Sequence, residues 1–233
     1  MRQKILDFII QNRVNTTEVA DALGKRGLFS GVFPINPEQF RAGKVKCVFT
    51  ANESNYDVHE QIISVEKDDI VMIFAYKCEG RSIIGELMAK YVLLYKRAAA
   101  VVVEGTVRDV AAIKREKFSV WSKGVSPIGC FNIQSDPYPA DLKSQILKQY
   151  EGAVAVCDDG GVVVISPDLH TADMLEKLQR LETQEDVWFF CLDALKWDTK
   201  KIVCDKAYLN ETEQLPEVFK NKVSELSKPL DKI

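Results

Sequence analysis

The sequence predicts an α/β fold, and three observations carry that expectation. First, two apolar runs of strand length, Ile70 to Ala75 and Ala98 to Val103, flank a segment with helical spacing. Second, a short helical stretch from about Asp109 to Glu116 leads into a third run, Phe118-Ser119-Val120-Trp121. Strand, helix, strand, helix, strand is the pattern of a parallel sheet with crossover helices. Third, 46% hydrophobic and 28% charged residues in a 233-residue chain is ordinary globular composition. A chain of this length buries a core without staples. Disordered, collagen-like and disulfide-scaffold classes are excluded.

The elements follow in order. Residues 3–12 read as a short amphipathic helix. A second helix runs from Thr16 to Leu23 and stops at Gly24, with Asn15 and Glu18 placed as a capping box. Residues 25–43, with Gly27, Gly31, Pro34 and Pro37, read as loop. The alternation Lys44-Val45-Lys46-Cys47-Val48-Phe49 predicts a strand, and Asp57 to Ile63 a helix. A loop with Gly80 follows the strand at Ile70. It leads to a helix from about Ile84 to Lys96, whose apolar residues Ile84, Leu87, Met88, Tyr91, Val92 and Tyr95 share a face. Gly105 is expected to break the run at Ala98. Ala140 to Tyr150 reads as helix. Gly152 to Cys157 and Val162 to Ile165 read as strands joined by Asp158-Asp159-Gly160-Gly161, a hairpin signal. Leu169 to Thr183 is helical, and Lys201-Ile202-Val203-Cys204 reads as a strand. No linker divides the chain, which reads as one domain with terminal appendages.

Lys and Arg number 31 against 34 Asp and Glu, a formal charge of −3. No net positive field exists to hold a nucleic-acid backbone or an anionic membrane, so neither is an expected partner. Six cysteines (Cys47, Cys78, Cys130, Cys157, Cys191 and Cys204) stand singly, with no C-x-x-C pair. They read as buried free thiols in a reducing compartment. The N-terminus turns acidic too soon for a signal peptide, and no apolar run approaches a membrane span. A cytoplasmic protein is expected. His59 and His170 read as helix-surface residues, Asp158-Asp159 as turn residues, and Trp188-Phe189-Phe190 as core or a subunit contact.

Two strand-to-helix turns can carry chemistry. In Glu104-Gly105-Thr106-Val107-Arg108-Asp109, Asp109 can offer carboxylate oxygen to a hard cation and Arg108 a planar fork to a carboxylate or keto oxygen. Ligands of open α/β sheets collect at such strand ends. From spacing alone, the favoured reading of the pair is an exposed ion pair with Asp109 capping the next helix, because an Arg-Asp dipeptide has little specificity. The second turn, Gly80-Arg81-Ser82-Ile83-Ile84-Gly85-Glu86-Leu87-Met88, brings main-chain N–H groups to a helix start, and Gly85 lets a ligand approach the backbone. There is no G-x-G-x-x-G, no P-loop and no G-x-S-x-G, so dinucleotide, nucleotide and Ser-hydrolase chemistry find no support.

Gly85-Glu86-Leu87-Met88-Ala89, then Ala100 to Val110 with its Val107-Arg108-Asp109, then Lys123-Gly124-Val125-Ser126-Pro127-Ile128-Gly129, resemble the RraA-like family. Thr17 to Gly24 and Gly152 to Val164 fit as well, so the resemblance covers roughly residues 15–185. That family includes class II 4-hydroxy-4-methyl-2-oxoglutarate/4-carboxy-4-hydroxy-2-oxoadipate aldolases and the regulator of ribonuclease E activity A. The resemblance implies an α-β-β-α sandwich over residues 1–185; residues 186–233, which have no counterpart in the family pattern, are expected as a C-terminal extension packed on the same domain. It implies homotrimers or hexamers with the site at a subunit interface, and Mg²⁺ or Mn²⁺ on Asp109. It implies that Arg108 contacts the pyruvate part of a 2-oxo acid, and that the amides of Gly85, Glu86, Leu87 and Met88 hold its carboxylate.

The implied reaction is retro-aldol cleavage of a 4-hydroxy-2-oxo acid, or decarboxylation of oxaloacetate, through a shared pyruvate enolate. Arg108 would stabilise the enolate and Glu86 would hold a water that acts as base. The family also implies two alternatives: a non-catalytic regulator that binds a ribonuclease or other protein, and a divergent member acting on another oxo acid. The sequence departs from the aldolase pattern in several places: Phe131 to Tyr150 replaces the family's glycine-rich connection after Ser126-Pro127. Glu86 stands where the aldolases carry Asp, and the helix between Glu86 and Arg108 holds one extra residue. Aldolases take a further carboxylate from a neighbouring subunit's C-terminal part; the resemblance does not assign it in this chain, where Glu182 and Glu185 are the candidates.

Overall fold

The computed structural model describes residues 1–227. One compact unit spans Met1–His170, and a second begins at Thr171. The first opens with α1 (Arg2–Asn12) and α2 (Thr16–Ala22). Asn15 caps α2 as the sequence predicts. Its side chain accepts the Glu18 N–H at 3.0 Å, and the Glu18 carboxylate accepts the Asn15 N–H at 2.6 Å.

Eight strands form one sheet: β1 (Phe33–Pro34), β2 (Arg41–Ala51), β3 (Asp69–Tyr76), β4 (Ser82–Ile84), β5 (Ala100–Val107), β6 (Val120–Val125), β7 (Val154–Asp158) and β8 (Gly161–Ile165). Their order is β1-β6-β5-β3-β2-β7-β8, with β4 pairing β5 beyond the end of β3. The strands β2, β3, β5 and β6 run parallel, as the alternation of strands and helices predicts. The hairpin of β7 and β8 is antiparallel and turns at the expected Asp158–Gly161. Leu28 bridges to Val163, and the Phe29 N–H donates to the Val162 carbonyl at 2.8 Å. These contacts bring β8 back toward the β1 edge and nearly close the sheet.

Side-chain alternation along the parallel strands builds two cores. Ile70, Met72 and Phe74 of β3 join Val45, Val102 and Trp121 on the inner face, against Ala155, Cys157, Val162 and Val164 of the hairpin. Val71 and Ile73 join Val48, Val101, Val103 and Val120 on the outer face. There they meet Val58 of α3 (Tyr56–Gln61), Met88 and Ala89 of α4 (Glu86–Lys90), and Ile113 of α5 (Val110–Arg115). On the other side α2 packs on β7 and β8. Helix, sheet, sheet, helix is the expected α-β-β-α layering, with both sheet layers drawn from one curled sheet. A sixth helix, α6 (Ala140–Tyr150), matches its predicted bounds and packs on β2.

Several local expectations are corrected. Gly105 does not break β5, which continues to Val107 through an irregularity between Val103 and Thr106. Ile84 ends the short strand β4 and does not begin the helix. After α4 the chain makes a π-helical turn at Tyr91–Tyr95, closed by the Lys96 N–H on the Tyr91 carbonyl at 3.0 Å. Lys200–Cys204 is also a π-helical turn, where a strand is expected.

The second unit contains α7 (Ala172–Asp193) and α8 (Glu217–Leu226). The expected boundary near residue 185 falls inside α7, which Thr171 caps through the Met174 N–H at 3.2 Å. Val187, Cys191, Trp197, Ile202, Tyr208, Leu215 and Val223 form its core, with the Phe190 and Phe219 rings stacked at 4.2 Å. All six cysteines are free, and burial pushes the Cys47 and Cys157 thiols up, away from thiolate character. Cys204 is exposed, contrary to expectation. Among the described residues no helix is long and apolar enough to cross a membrane.

Candidate active site

The two turns singled out in the sequence meet at one end of the parallel strands. Pairing of β4 with β5 sets Ser82 opposite Thr106 and Ile84 opposite Val107. The Arg108 N–H then donates to the Ile84 carbonyl at 3.0 Å. Gly85 and Arg108 therefore leave the sheet side by side. Asp109 occupies the position before α5 with φ 57° and ψ 36°, the left-handed region that Asp tolerates better than most residues. Its carboxylate does not cap α5, the role that spacing alone allows. Instead Oδ2 accepts the Glu86 N–H at 3.1 Å and lies 3.8 Å from Arg108 Nε.

A third segment completes the wall. The Ser82 N–H donates to the Ile128 carbonyl at 2.7 Å, and the Cys130 N–H donates to the Ser82 carbonyl at 3.1 Å. Ser126 Oγ donates to the Gly80 carbonyl at 2.7 Å, and Ser82 Oγ donates to the Ser126 carbonyl. This stitching lays Gly129 against the guanidinium: a Cβ built there would lie 2.5 Å from Arg108 Nη1. A Cβ on Gly85 would overlap Asp109 Oδ2 and sit 3.0 Å from Arg108 Cγ. Two glycines thus make room for one Arg-Asp pair.

The walls enclose a cavity of about 110 Å³ lined by Gly85, Leu87, Met88, Arg108, Asp109 and Gly129 among others. At ~30 Å³ per water in the liquid, that space suits a molecule of a few heavy atoms, far below the 300–1,000 Å³ of a drug-sized pocket. The Arg108 and Asp109 side chains are 49% and 45% exposed, so both reach the opening. Gly85, Leu87, Met88, Arg108 and Asp109 are thus brought together as expected. The Glu86 side chain is not: its carboxylate turns to α5 and pairs with Arg115 at 3.5 Å, outside the cavity lining. Its main-chain N–H is the part that meets Asp109.

Asn55, His59, Cys130 and Asn132 also line the cavity, and sequence reasoning missed them as site residues. His59 is exposed on α3, as predicted for a helix-surface histidine, yet it stands at the rim. Cys130 lies beside Cys78. A hydrogen bond between the two thiols, with burial second, pushes the Cys130 thiol well up, while Cys78 is lowered chiefly by the same bond. A larger open groove elsewhere in the unit is lined by Arg26, Lys148 and Asp168, but among the described residues no ion pair there joins a carboxylate to a guanidinium.

A carboxylate, a guanidinium and main-chain N–H groups thus surround a small cavity at a strand-end turn. Residues 16–164 match the RraA-like family, described as Aldolase/RraA, and the chain belongs to that family. A curated protein of Halalkalibacterium halodurans is 27% identical over 205 residues, which cover 80% of this chain and 89% of that protein. It is named as a 4-hydroxy-4-methyl-2-oxoglutarate aldolase, an assignment its own name gives provisionally. Among solved structures, Streptomyces coelicolor RraAS2 is described as an unusual member of the RNase ES inhibitor RraA protein family. It aligns with TM-score 0.62 and 18% identity over 78% of this chain and 93% of that one. A Pseudomonas syringae protein of unassigned function aligns with TM-score 0.61 and 17% identity over 82% of this chain and 93% of that one. These likenesses extend the fold assignment and leave the chemistry to the site.

Proposed function

We propose that this chain is a divalent-metal-dependent aldolase/decarboxylase that releases pyruvate from a 4-hydroxy-2-oxo acid or from oxaloacetate. The observation that carries this reading is the fixed Asp109 carboxylate beside Arg108 in a cavity of pyruvate scale. The name of the Halalkalibacterium relative points the same way.

The residues present fit Mg²⁺ or Mn²⁺. The hydrogen bond and the arginine contact of Asp109 both fall on Oδ2, which leaves Oδ1 for a cation. Among the described residues no group of three His, Cys, Asp or Glu gathers there. Such a donor set suits a hard ion that takes one carboxylate and completes its shell with water and substrate oxygens. When bound, the cation would supply Lewis-acid stabilisation of the keto oxygen as it becomes an enolate.

The chain's own groups do the rest. Arg108 holds the keto oxygen and carboxylate side of the substrate through its fork and strengthens its hold as negative charge develops. The first-turn amides of Leu87 and Met88, without intrahelical acceptors, face the carboxylate. The Glu86 N–H is spent on Asp109 and orients it. A water at the open mouth of the cavity takes the proton of the substrate hydroxyl; the C4–O bond becomes a carbonyl as the C3–C4 bond breaks, its electron pair passes into the pyruvate enolate, and protonation of C3 then gives pyruvate. Loss of CO₂ from oxaloacetate delivers the same enolate.

We also propose self-assembly beside the site. Leu87 is 79% exposed at the cavity rim, and Tyr91, Leu94 and Tyr95 continue its helical face. An apolar stripe of that kind is suited to cover by a second subunit.

The test is pyruvate release from oxaloacetate and from 4-hydroxy-4-methyl-2-oxoglutarate, with and without Mg²⁺ or Mn²⁺. Turnover that depends on metal and disappears in Asp109→Ala supports the reading. Absence of metal-dependent turnover on both substrates rejects it.

A further inference from the structure

Asn55 is only 7% exposed and lies immediately before α3. Its main chain is fully engaged: the N–H donates to the Phe131 carbonyl at 3.1 Å, and its carbonyl accepts the Val58 N–H at 3.1 Å. Asn is a common helix-capping residue, yet this side chain makes no capping bond. Instead Nδ2 donates to the Ile83 carbonyl at 3.0 Å and approaches Met88 Sδ at 3.9 Å. Both neighbours are acceptors, so the amide nitrogen belongs on that side and its orientation is fixed by chemistry. The remaining atom, Oδ1, is buried without a donor among the described residues. Asn55 also lines the cavity that holds Arg108 and Asp109.

We infer that Asn55 is a specificity-determining residue that accepts a hydrogen bond from the hydroxyl of a 4-hydroxy-2-oxo acid. The inference rests on the proposed substrate class. Every other polar group assigned to the substrate there, Arg108 and the amides after Gly85, is a donor suited to carboxylate and keto oxygens. A substrate composed of those groups alone offers nothing to a buried acceptor. A hydroxyl does, because its O–H supplies the donor that Asn55 Oδ1 lacks among the described residues. A carboxylate in the same place would set oxygen against oxygen. The site therefore favours the hydroxylated aldol substrate over oxaloacetate, whose outer group is a carboxylate. A site built to bond a substrate hydroxyl discriminates strongly against an analogue that lacks it, since the buried partner is then left unpaired.

The test uses 4-hydroxy-2-oxoglutarate and 2-oxoglutarate, which differ only in that hydroxyl. Their affinities for the full chain in Mg²⁺ are measured by calorimetry. If the hydroxy acid is cleaved during the titration, its KM is compared with the inhibition constant of 2-oxoglutarate. The wild-type protein is expected to prefer the hydroxy acid by about tenfold or more. Asn55→Ala and Asn55→Ser, of which either folded variant suffices, are expected to bring the ratio to about one while still binding 2-oxoglutarate. A merely structural role would weaken both ligands together and leave the ratio unchanged. A wild-type protein without the preference overturns the inference, as does a folded variant that keeps it. Preference without pyruvate release would remove the aldolase reading and retain Asn55 as the hydroxyl acceptor. Pyruvate release without preference would do the reverse.

Discussion

Gly85→Ala isolates the geometry of the site from the stability of the fold. Gly85 has φ −133° and ψ −162°, extended backbone that alanine adopts freely, so the added methyl is the whole perturbation. That methyl would sit 3.0 Å from Arg108 Cγ and 3.2 Å from Arg108 Nε, and would overlap Asp109 Oδ2. Since C–H···O contacts begin near ~3.3 Å, the carboxylate must retreat by about 1 Å, and a misplacement of that size costs on the order of 10²-fold in rate. This corresponds to about 2.7 kcal/mol of lost transition-state stabilisation. The folded state changes far less. Loss of the bond from the Glu86 N–H costs about 1 kcal/mol, while replacing glycine in a compatible conformation returns about 0.4–1 kcal/mol through the unfolded chain. The melting temperature is therefore expected to move by less than about 4 °C. The assay is initial-rate pyruvate formation with Mg²⁺, paired with a thermal melt. Gly124→Ala serves as control, because its methyl meets only Thr106 Cγ2 at 3.7 Å. A Gly85→Ala protein with kcat/KM within threefold of wild type would refute the reasoning. So would one that loses activity only because it unfolds.

Three further outcomes follow from the same geometry. Glu86→Gln should keep kcat/KM within about tenfold and shift stability by under about 1 kcal/mol, because its partner Arg115 is exposed and the N–H that holds Asp109 is untouched; a loss of 10³-fold or more would restore the carboxylate as the holder of the basic water. Removal of divalent metal by EDTA should abolish pyruvate release, and added Mg²⁺ or Mn²⁺ should restore it in wild type and fail to do so in Asp109→Ala. His170 is held below its ordinary pKa, chiefly by burial, so the unfolded chain binds its proton first as pH falls from about 6.5. Stability should thus decline with acidity in that window, and thermal melts of His170→Gln should show a shallower decline than wild type.

Much of the fold is legible because its signals are local. Ile70 to Ala75 is apolar at every position, as a strand buried on both faces must be, and it becomes β3 between two cores. The capping box at Asn15 and the Asp158–Gly161 turn are fixed by a few adjacent side chains, so both survive unchanged into the structure. What escapes is set at a distance. Three residues of β4 carry no periodicity, and their strand character comes from β5 on one side and Ile128–Cys130 on the other. Gly105 looks like a breaker, yet a Cβ there would lie 3.1 Å from Ile83 Cγ1, so it marks close packing of β4 on β5. Trp121 reads only as the end of a strand; in the fold its indole N–H donates to the Asp158 carbonyl at 2.9 Å. In the site, Arg108, Asp109 and Gly85 show themselves by type and position. Asn55 does not: an asparagine before a helix looks like a cap, and only its missing capping bond and its unmatched oxygen set it apart.

The resemblance to the aldolase pattern implies one extra residue between Glu86 and Arg108, yet the two turns still meet. An inserted residue in a regular helix rotates everything beyond it by about 100°, since 3.6 residues make a turn. That would carry the entry to β5 away from its partner and break the register that sets Ile84 beside Arg108. The π-helical turn at Tyr91–Tyr95 removes the conflict. Its wider ring takes up one more residue than an α-helical turn, so the surplus is absorbed locally. Beyond it Arg97 adopts φ 62°, its carbonyl accepts the Asp68 N–H at 3.0 Å, and the chain enters β5 in register with β3. The departure that seemed to weaken the family resemblance is therefore confined to the solvent side of the helix, where Leu94 and Tyr95 are exposed. At the other end, the Glu86 amide still reaches the Asp109 carboxylate. Site geometry in this fold is governed by the pairing of β4 with β5, and the helix between them tolerates a change in length because it only has to deliver the chain to the right edge.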